Sequence, residues 1–198
     1  MPTLVYLHGF NSAPQSVKGQ LLARAAAALP NPPRFHLPQL HHRPERAMRE
    51  VGQWIEREGR RMNELTLIGS SLGGFYATYL AERYGARAVV INPAIVPHED
   101  LRPYAGPQRN LYTGEEYDVT PAHFDELAAL AVERITDRER YFLLMRTGDE
   151  LLDWRKAVAF YAGAYQYVAG GGDHGWTDFG GEVAAVLRFA GCRVPPVH

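Results

Sequence analysis

The sequence predicts an α/β fold in which a mostly parallel sheet of about six strands carries helices on both faces and a small inserted cap. Three observations point there. Short apolar runs alternate with stretches whose apolar residues recur three or four positions apart. The alternation has the strand–helix–strand order of a parallel sheet covered on both sides. Between Pro93 and Asp137 the rhythm breaks. At 198 residues the chain can bury a full core but is short for two ordinary domains, so a single domain over residues 1–198 is expected.

Taken in order, "TLVYLH" (3–8) reads as a strand and "VKGQLLARAAAALP" (17–30) as a helix. After the loop "PNPPR", "PRFHL" (33–37) reads as a strand and "PERAMREVGQWIEREG" (44–59) as a helix. "ELTLIG" (64–69), "GFYATYLAERYG" (74–85) and "ARAVVIN" (86–92) continue as strand, helix, strand. From Pro93 to Asp137 no strand is read; a Pro- and Tyr-rich stretch precedes "TPAHFDELAALAVERI", with Thr120 as N-cap and Pro121 at the first helical position. This segment, about residues 93–137, is the expected cap or lid. "RYFLLMRTG" (140–148), "DWRKAVAFYAG" (153–163), "AYQYVAG" (164–170) and "EVAAVLRFAG" (182–191) complete the series as strand, helix, strand, helix.

Apolar residues at 46% and charged residues at 22% are ordinary globular usage and exclude a disordered or collagen-like chain. Of the 21 basic residues 19 are Arg, scattered among acids rather than gathered in a stripe, so no nucleic-acid partner is expected. Cys192 is the only cysteine, which excludes an internal disulfide and a thiolate metal cluster. With no basic leader before a long apolar run and no span of 18 apolar residues, no membrane span and a cytoplasmic location are expected.

The chain has four serines, and two of them stand in Gly69-Ser70-Ser71-Leu72-Gly73, between a strand and a helix. G-x-S-x-G in that setting is the tight strand-to-helix turn that lifts a serine hydroxyl out of a sheet. Side chains at Gly69 or Gly73 are expected to collide with the neighbouring strand or helix. A serine hydroxyl needs a base, and the base needs an acid to hold it, both from loops at the same edge of the sheet. Asp149 follows one late strand and His174 the next, in the chain order Ser71, Asp149, His174. Glu150 and Asp153 compete with Asp149; Asp153 is read as the cap of the helix starting at Trp154, and Asp173 as a partner of nearby backbone N–H groups.

The first strand runs into His8-Gly9-Phe10-Asn11. Acyl transfer needs two backbone N–H donors aimed at a developing oxyanion, and Leu72 and Phe10 are the candidates. Gly9 would let backbone approach the substrate, and His8 is read as holding the loop. Tyr104, Tyr112, Tyr117 and Phe124 of the cap are candidates for an acyl pocket, though packing of the cap onto the body calls for the same residues. "GGGDHG" (170–175) matches a dinucleotide fingerprint, but the 23 residues after it leave no room for the rest of that unit, so no cofactor is expected. The histidines of "HLPQLHHR" (36–43) lack ligand spacing; no metal is expected, and the stretch reads as a solvated loop.

"LVYLHGFNSAPQSVKGQLL", "LIGSSLGGFYATYLAERYG", "VVINPAIVP", "YTGEEY", "TGDELLDWRKAVAFY" and "GGDHGWTDF" together resemble the YqiA-type esterases (UPF0227), a small cytoplasmic branch of the α/β-hydrolase superfamily, over nearly the whole chain. The resemblance implies a reduced three-layer hydrolase fold without the first two strands of the full version. It also implies Ser71 as nucleophile, Asp149 as acid and His174 as base. The expected activity is hydrolysis of a small acyl ester or acyl-thioester through an acyl-enzyme, without a cofactor. The rival expectation is a hydrolase fold kept as a binding protein with its site unused.

Overall fold

The structure is a computed structural model, described here for residues 1–58 and 64–196. Six strands form one parallel sheet: β1 (Thr3–Leu7), β2 (Arg34–His36), β3 (Leu65–Ser70), β4 (Arg87–Ile91), β7 (Tyr141–Arg146) and β8 (Tyr165–Ala169), in the order β2-β1-β3-β4-β7-β8. All residues of β1 and β3 are buried, as strands covered on both faces must be, and this is why they read as nearly unbroken apolar runs.

Alternate residues serve opposite faces. Val5, Leu7, Leu67, Val90 and Leu143 pack against α2 (Pro44–Glu58), α3 (Leu72–Tyr84) and α6 (Trp154–Phe160). Leu4, Tyr6, Ile68, Val89 and Leu144 pack against α1 (Val17–Ala27) and α7 (Val183–Phe189). Three layers result, with Ser71 at the carboxyl end of the central strand β3. Gly59, the last residue of the helix expected over 44–59, lies outside the described residues.

The segment between β4 and β7 departs from expectation twice. It contains an antiparallel hairpin, β5 (Gly106–Arg109) and β6 (Glu116–Val119), beside α4 (Pro97–Asp100) and α5 (Pro121–Ala129). The strands "GPQR" and "EYDV" have too few apolar residues to show a period of two, so the sequence hides them. Helix α5 stops at Ala129 instead of running on to Ile135. Leu130 and Ile135 both enter the same core cluster, whereas a continuous helix would point residues five apart about 140° from each other. The chain leaves the helix and both side chains are buried.

Polar contacts dock this segment. Asn110 Nδ2 donates to the Ser12 carbonyl at 2.8 Å, Asn11 Nδ2 to Gln108 Oε1 at 2.9 Å, and the Tyr117 hydroxyl to Asn11 Oδ1 at 2.6 Å. Arg43 pairs with Glu126. The stretch read as a solvated loop belongs to this seam: His42 Nδ1 lies 3.0 Å from His123 Nε2 and its ring stacks on Tyr117, while His36 stacks on Trp54. The Thr120 N–H donates to His123 Nδ1 at 3.1 Å, which leaves the His123 proton on Nε2, facing His42.

A second proton on either ring would set two N–H groups against each other. Burial, as the largest cause, accordingly lowers the pKa of both His42 and His123 from 6.5. The folded state therefore binds fewer protons than the unfolded chain, and stability from this contact is present above about pH 6.5 and lost as pH falls through the lowered values. Urea unfolding of the wild type should weaken from about pH 7 to about pH 5, and His42→Gln should show a shallower dependence. An unchanged slope in the variant would remove the pair from this account.

Candidate active site

Ser71 is one of four non-glycine residues with positive φ in the described chain, at φ 58° and ψ −124°. The turn is that tight because two glycines let backbone meet backbone. A Cβ on Gly69 would fall 2.0 Å from the Gly73 carbonyl oxygen, and one on Gly73 would fall 2.0 Å from that of Leu7 in β1. Gly9 lies beside them: its Cβ would sit 3.3 Å from that of Ser71. The Ser71 N–H donates to the Ile91 carbonyl at 3.0 Å, and its carbonyl accepts from Gly74 and Ala94 at 2.9 and 3.1 Å. Strain at one residue is offset by bonds on both sides of it.

His174 Nε2 lies 3.0 Å from Ser71 Oγ, and His174 Nδ1 lies 2.8 Å from Asp149 Oδ2. With a carboxylate on Nδ1, the proton of the neutral ring sits there and the Nε2 lone pair faces the serine hydroxyl. The Asp149 side chain is fully buried, and its other oxygen accepts from the N–H groups of Leu151 and Leu152, each at 2.9 Å. Asp153 caps α6, accepting from the Arg155 N–H at 3.0 Å. Asp173 accepts from the Thr177 hydroxyl at 2.9 Å, not from the backbone N–H groups expected for it.

The loops that carry Asp149 and His174 are stitched together. The Thr147 N–H donates to Ala169 at 3.0 Å, Gly148 N–H to Gly171 at 2.9 Å, and Gly171 N–H to the Thr147 hydroxyl at 3.0 Å. Two residues complete the join: Glu150, which the sequence offers only as an alternative to Asp149, and Asn92, which the sequence reading did not place in the site. Glu150 accepts the His174 N–H at 2.9 Å. Asn92, wholly buried and at φ 41°, accepts the Arg146 N–H at 2.9 Å and donates to the His174 carbonyl at 2.9 Å and the Asp173 carbonyl at 3.2 Å. An amide between a buried strand and Pro93 was the only signal for Asn92.

His8 is buried; its Nε2 accepts the Leu40 N–H at 3.1 Å and its Nδ1 lies 3.0 Å from the Gly9 carbonyl. Burial lowers its pKa, so the neutral ring bridges two loops. Leu72 N–H is in the first turn of α3, where helix donors have no intrahelical partner.

Two cavities flank Ser71 and His174. The larger, about 410 Å³, is walled by Gly9, Ser16, Lys18, Tyr112 and Trp176 among others; the smaller, about 210 Å³, by Leu72, Leu101, Tyr104, Leu151 and Leu152, and Phe10 borders both. The four cap aromatics therefore divide. Tyr104 and Tyr112 reach the cavities, whereas Tyr117 is drawn to Asn11 and His42 and Phe124 is buried beneath Arg102. Neither Tyr117 nor Phe124 lines either cavity, which corrects that expectation. Among the described residues no group of three His, Cys, Asp or Glu is placed to hold a metal ion, and no helix is long and apolar enough to cross a membrane.

Residues 3–191 match the model of an uncharacterised protein family, UPF0227. Three solved structures share the fold. A protein from Agrobacterium vitis S4, described provisionally as a hydrolase, superposes with a TM-score of 0.74 at 20% identity, over 96% of this chain and 87% of that one. Est1E from Butyrivibrio proteoclasticus, solved with ferulic acid bound, gives 0.68 at 12% identity, over 96% and 86%. A monoacylglycerol lipase from Paleococcus ferrophilus gives 0.63 at 16% identity, over 96% of each chain.

Two outcomes follow from the turn. Gly73→Ala should lower the free energy of unfolding by more than about 3 kcal/mol or prevent folding, because the collision is with backbone that cannot step aside. Ser71→Gly should be more stable than Ser71→Ala by about 1 kcal/mol, since glycine takes up the positive φ without strain. Urea midpoints of the three variants read both.

Proposed function

The chain belongs to the UPF0227 family, and we propose that it is a serine hydrolase that cleaves acyl esters or acyl-thioesters through an acyl-enzyme. One observation carries the reading: a serine hydroxyl, an imidazole and a buried carboxylate stand in hydrogen-bonding series at the meeting point of two cavities. A fold that used this surface only for binding has no need of all three groups in that order.

In the proposed reaction Ser71 Oγ attacks the acyl carbonyl as His174 Nε2 takes its proton, and Asp149 stabilises the imidazolium through Nδ1. The carbonyl π electrons move to oxygen, and the oxyanion rests on the N–H groups of Leu72 and Phe10, the former aided by the α3 dipole. Collapse expels the alkoxide or thiolate, which takes the proton back from His174. Water then repeats the cycle on the acyl-enzyme and releases the carboxylic acid. The smaller, mainly apolar cavity offers an acyl chain a place beside the serine.

Hydrolysis of 4-nitrophenyl butyrate, and of acyl-thioesters of increasing chain length, tests this. Ser71→Ala should reduce kcat/KM by about 10⁴-fold or more while circular dichroism stays unchanged. Asp149→Asn should lose at least about 10²-fold, and Asp153→Asn, a helix cap, should retain most of the activity. Undiminished turnover in Ser71→Ala would overturn the mechanism, and a loss in Asp153→Asn larger than in Asp149→Asn would reassign the acid.

A further inference from the structure

The two cavities beside Ser71 differ in kind. The smaller one is walled mainly by aliphatic and aromatic side chains, and its one charged residue is Asp100. The larger one has no acidic residue in its wall and holds Lys18, one of only two lysines in the chain. Lys18 Nζ donates one hydrogen bond, to the Gly175 carbonyl, and among the described residues it has no carboxylate within 4.0 Å. Two of its N–H donors are left over. Partial burial, the largest cause, lowers its pKa, and the Asp173 and Asp149 carboxylates, neither within 4.0 Å, oppose that only in part.

Lys18 stands in the first turn of α1, an 11-residue helix whose first backbone N–H groups have no intrahelical acceptor. Ser16, at the N-cap, does not satisfy them with its side chain. Its hydroxyl, buried beside that of Tyr6, makes no hydrogen bond of good geometry, in a residue only 9% exposed that lines the same cavity. An ammonium, a helix N-terminus and a spare hydroxyl in one wall form a donor set without an acceptor, and a carboxylate or phosphate supplies what is missing.

We propose that the larger cavity is an anion subsite, and that the substrate is an ester or thioester carrying a carboxylate or phosphate, seated on Lys18, Ser16 and the start of α1, with its apolar part in the smaller cavity. This rests on the hydrolase reading and narrows it: a bipartite substrate, charged on one side of the reacting carbonyl and apolar on the other. Asp100 in the smaller cavity opposes the reverse placement.

Two matched ester pairs put the anion on either side of the scissile bond. 4-Nitrophenyl hydrogen glutarate is compared with 4-nitrophenyl pentanoate, and 4-(butanoyloxy)benzoate with 4-(butanoyloxy)benzamide. In one pair the wild type should prefer the charged ester in kcat/KM by about tenfold or more, a hydrogen-bonded charge pair's usual contribution. Lys18→Gln should erase that preference and Lys18→Arg should keep part of it. Equal use of both members in both pairs, or a preference that survives Lys18→Gln, overturns the subsite. Should neither the four esters nor the acyl-thioesters turn over, the hydrolase reading fails and titration calorimetry decides the subsite alone. Binding of glutarate or inorganic phosphate that is lost in Lys18→Gln then supports it, and no Lys18-dependent binding of either refutes it.

Discussion

Between β3 and α3 the backbone passes so close to β1 that there is no room for a Cβ at Gly73, where one would lie 2.0 Å from the Leu7 carbonyl oxygen. That approach fixes how α3 leaves the sheet. Ser71 is then forced to positive φ, a conformation an L residue occupies only when its surroundings determine it. The same crowding brings Gly9 against Ser71, so the loop after β1 and the turn after β3 are set by one contact. Leu72 and Phe10, which start from those two segments, inherit their positions from it.

The opposite wall is built by hydrogen bonds instead of close packing. Asp149 is buried with both oxygens occupied, and the His174 loop is tied to its neighbour through Gly148, Gly171, Thr147 and Glu150. Asn92 stands at the end of β4, the strand between those that lead to Ser71 and Asp149, and bonds to the chain on the far side at Arg146 and His174. A rigid site follows from strands that are buried on both faces and loops whose polar groups are paired. The hairpin segment above it docks mostly through side-chain amides, a hydroxyl and a histidine pair, of which the histidine pair is the contact that responds to pH.

What could be read from sequence was what depends on local pattern. The four inner strands were legible because double burial makes them largely apolar, the partly exposed edge strands β2 and β8 from their place in the strand–helix alternation, and the serine turn because two glycines bracket it. Asp149 and His174 could be placed because each follows a strand, and a parallel sheet gathers such loops at one edge. The hairpin β5–β6 was missed because "GPQR" and "EYDV" are held by pairing and by distant partners rather than by their own apolar alternation. The end of α5 depends on where Leu130 and Ile135 find the core, and the separation of Tyr104 and Tyr112 from Tyr117 and Phe124 depends on Asn11, His42 and Arg102. Asn92, Glu150 and the His42–His123 pair act through partners 24 to 82 residues away, and no window along the chain contains both members.

The central claim is that Ser71 is an activated nucleophile, made so by His174. Reaction with a fluorophosphonate, read by mass spectrometry of proteolytic peptides, tests it without assuming a substrate, because phosphonylation requires a base at the serine. The account predicts one adduct per chain, localised by fragmentation of its peptide to Ser71 and not to the adjacent Ser70, and its loss in His174→Ala. Folded wild-type protein that stays unlabelled, or labelling that persists at full rate in His174→Ala, would contradict it.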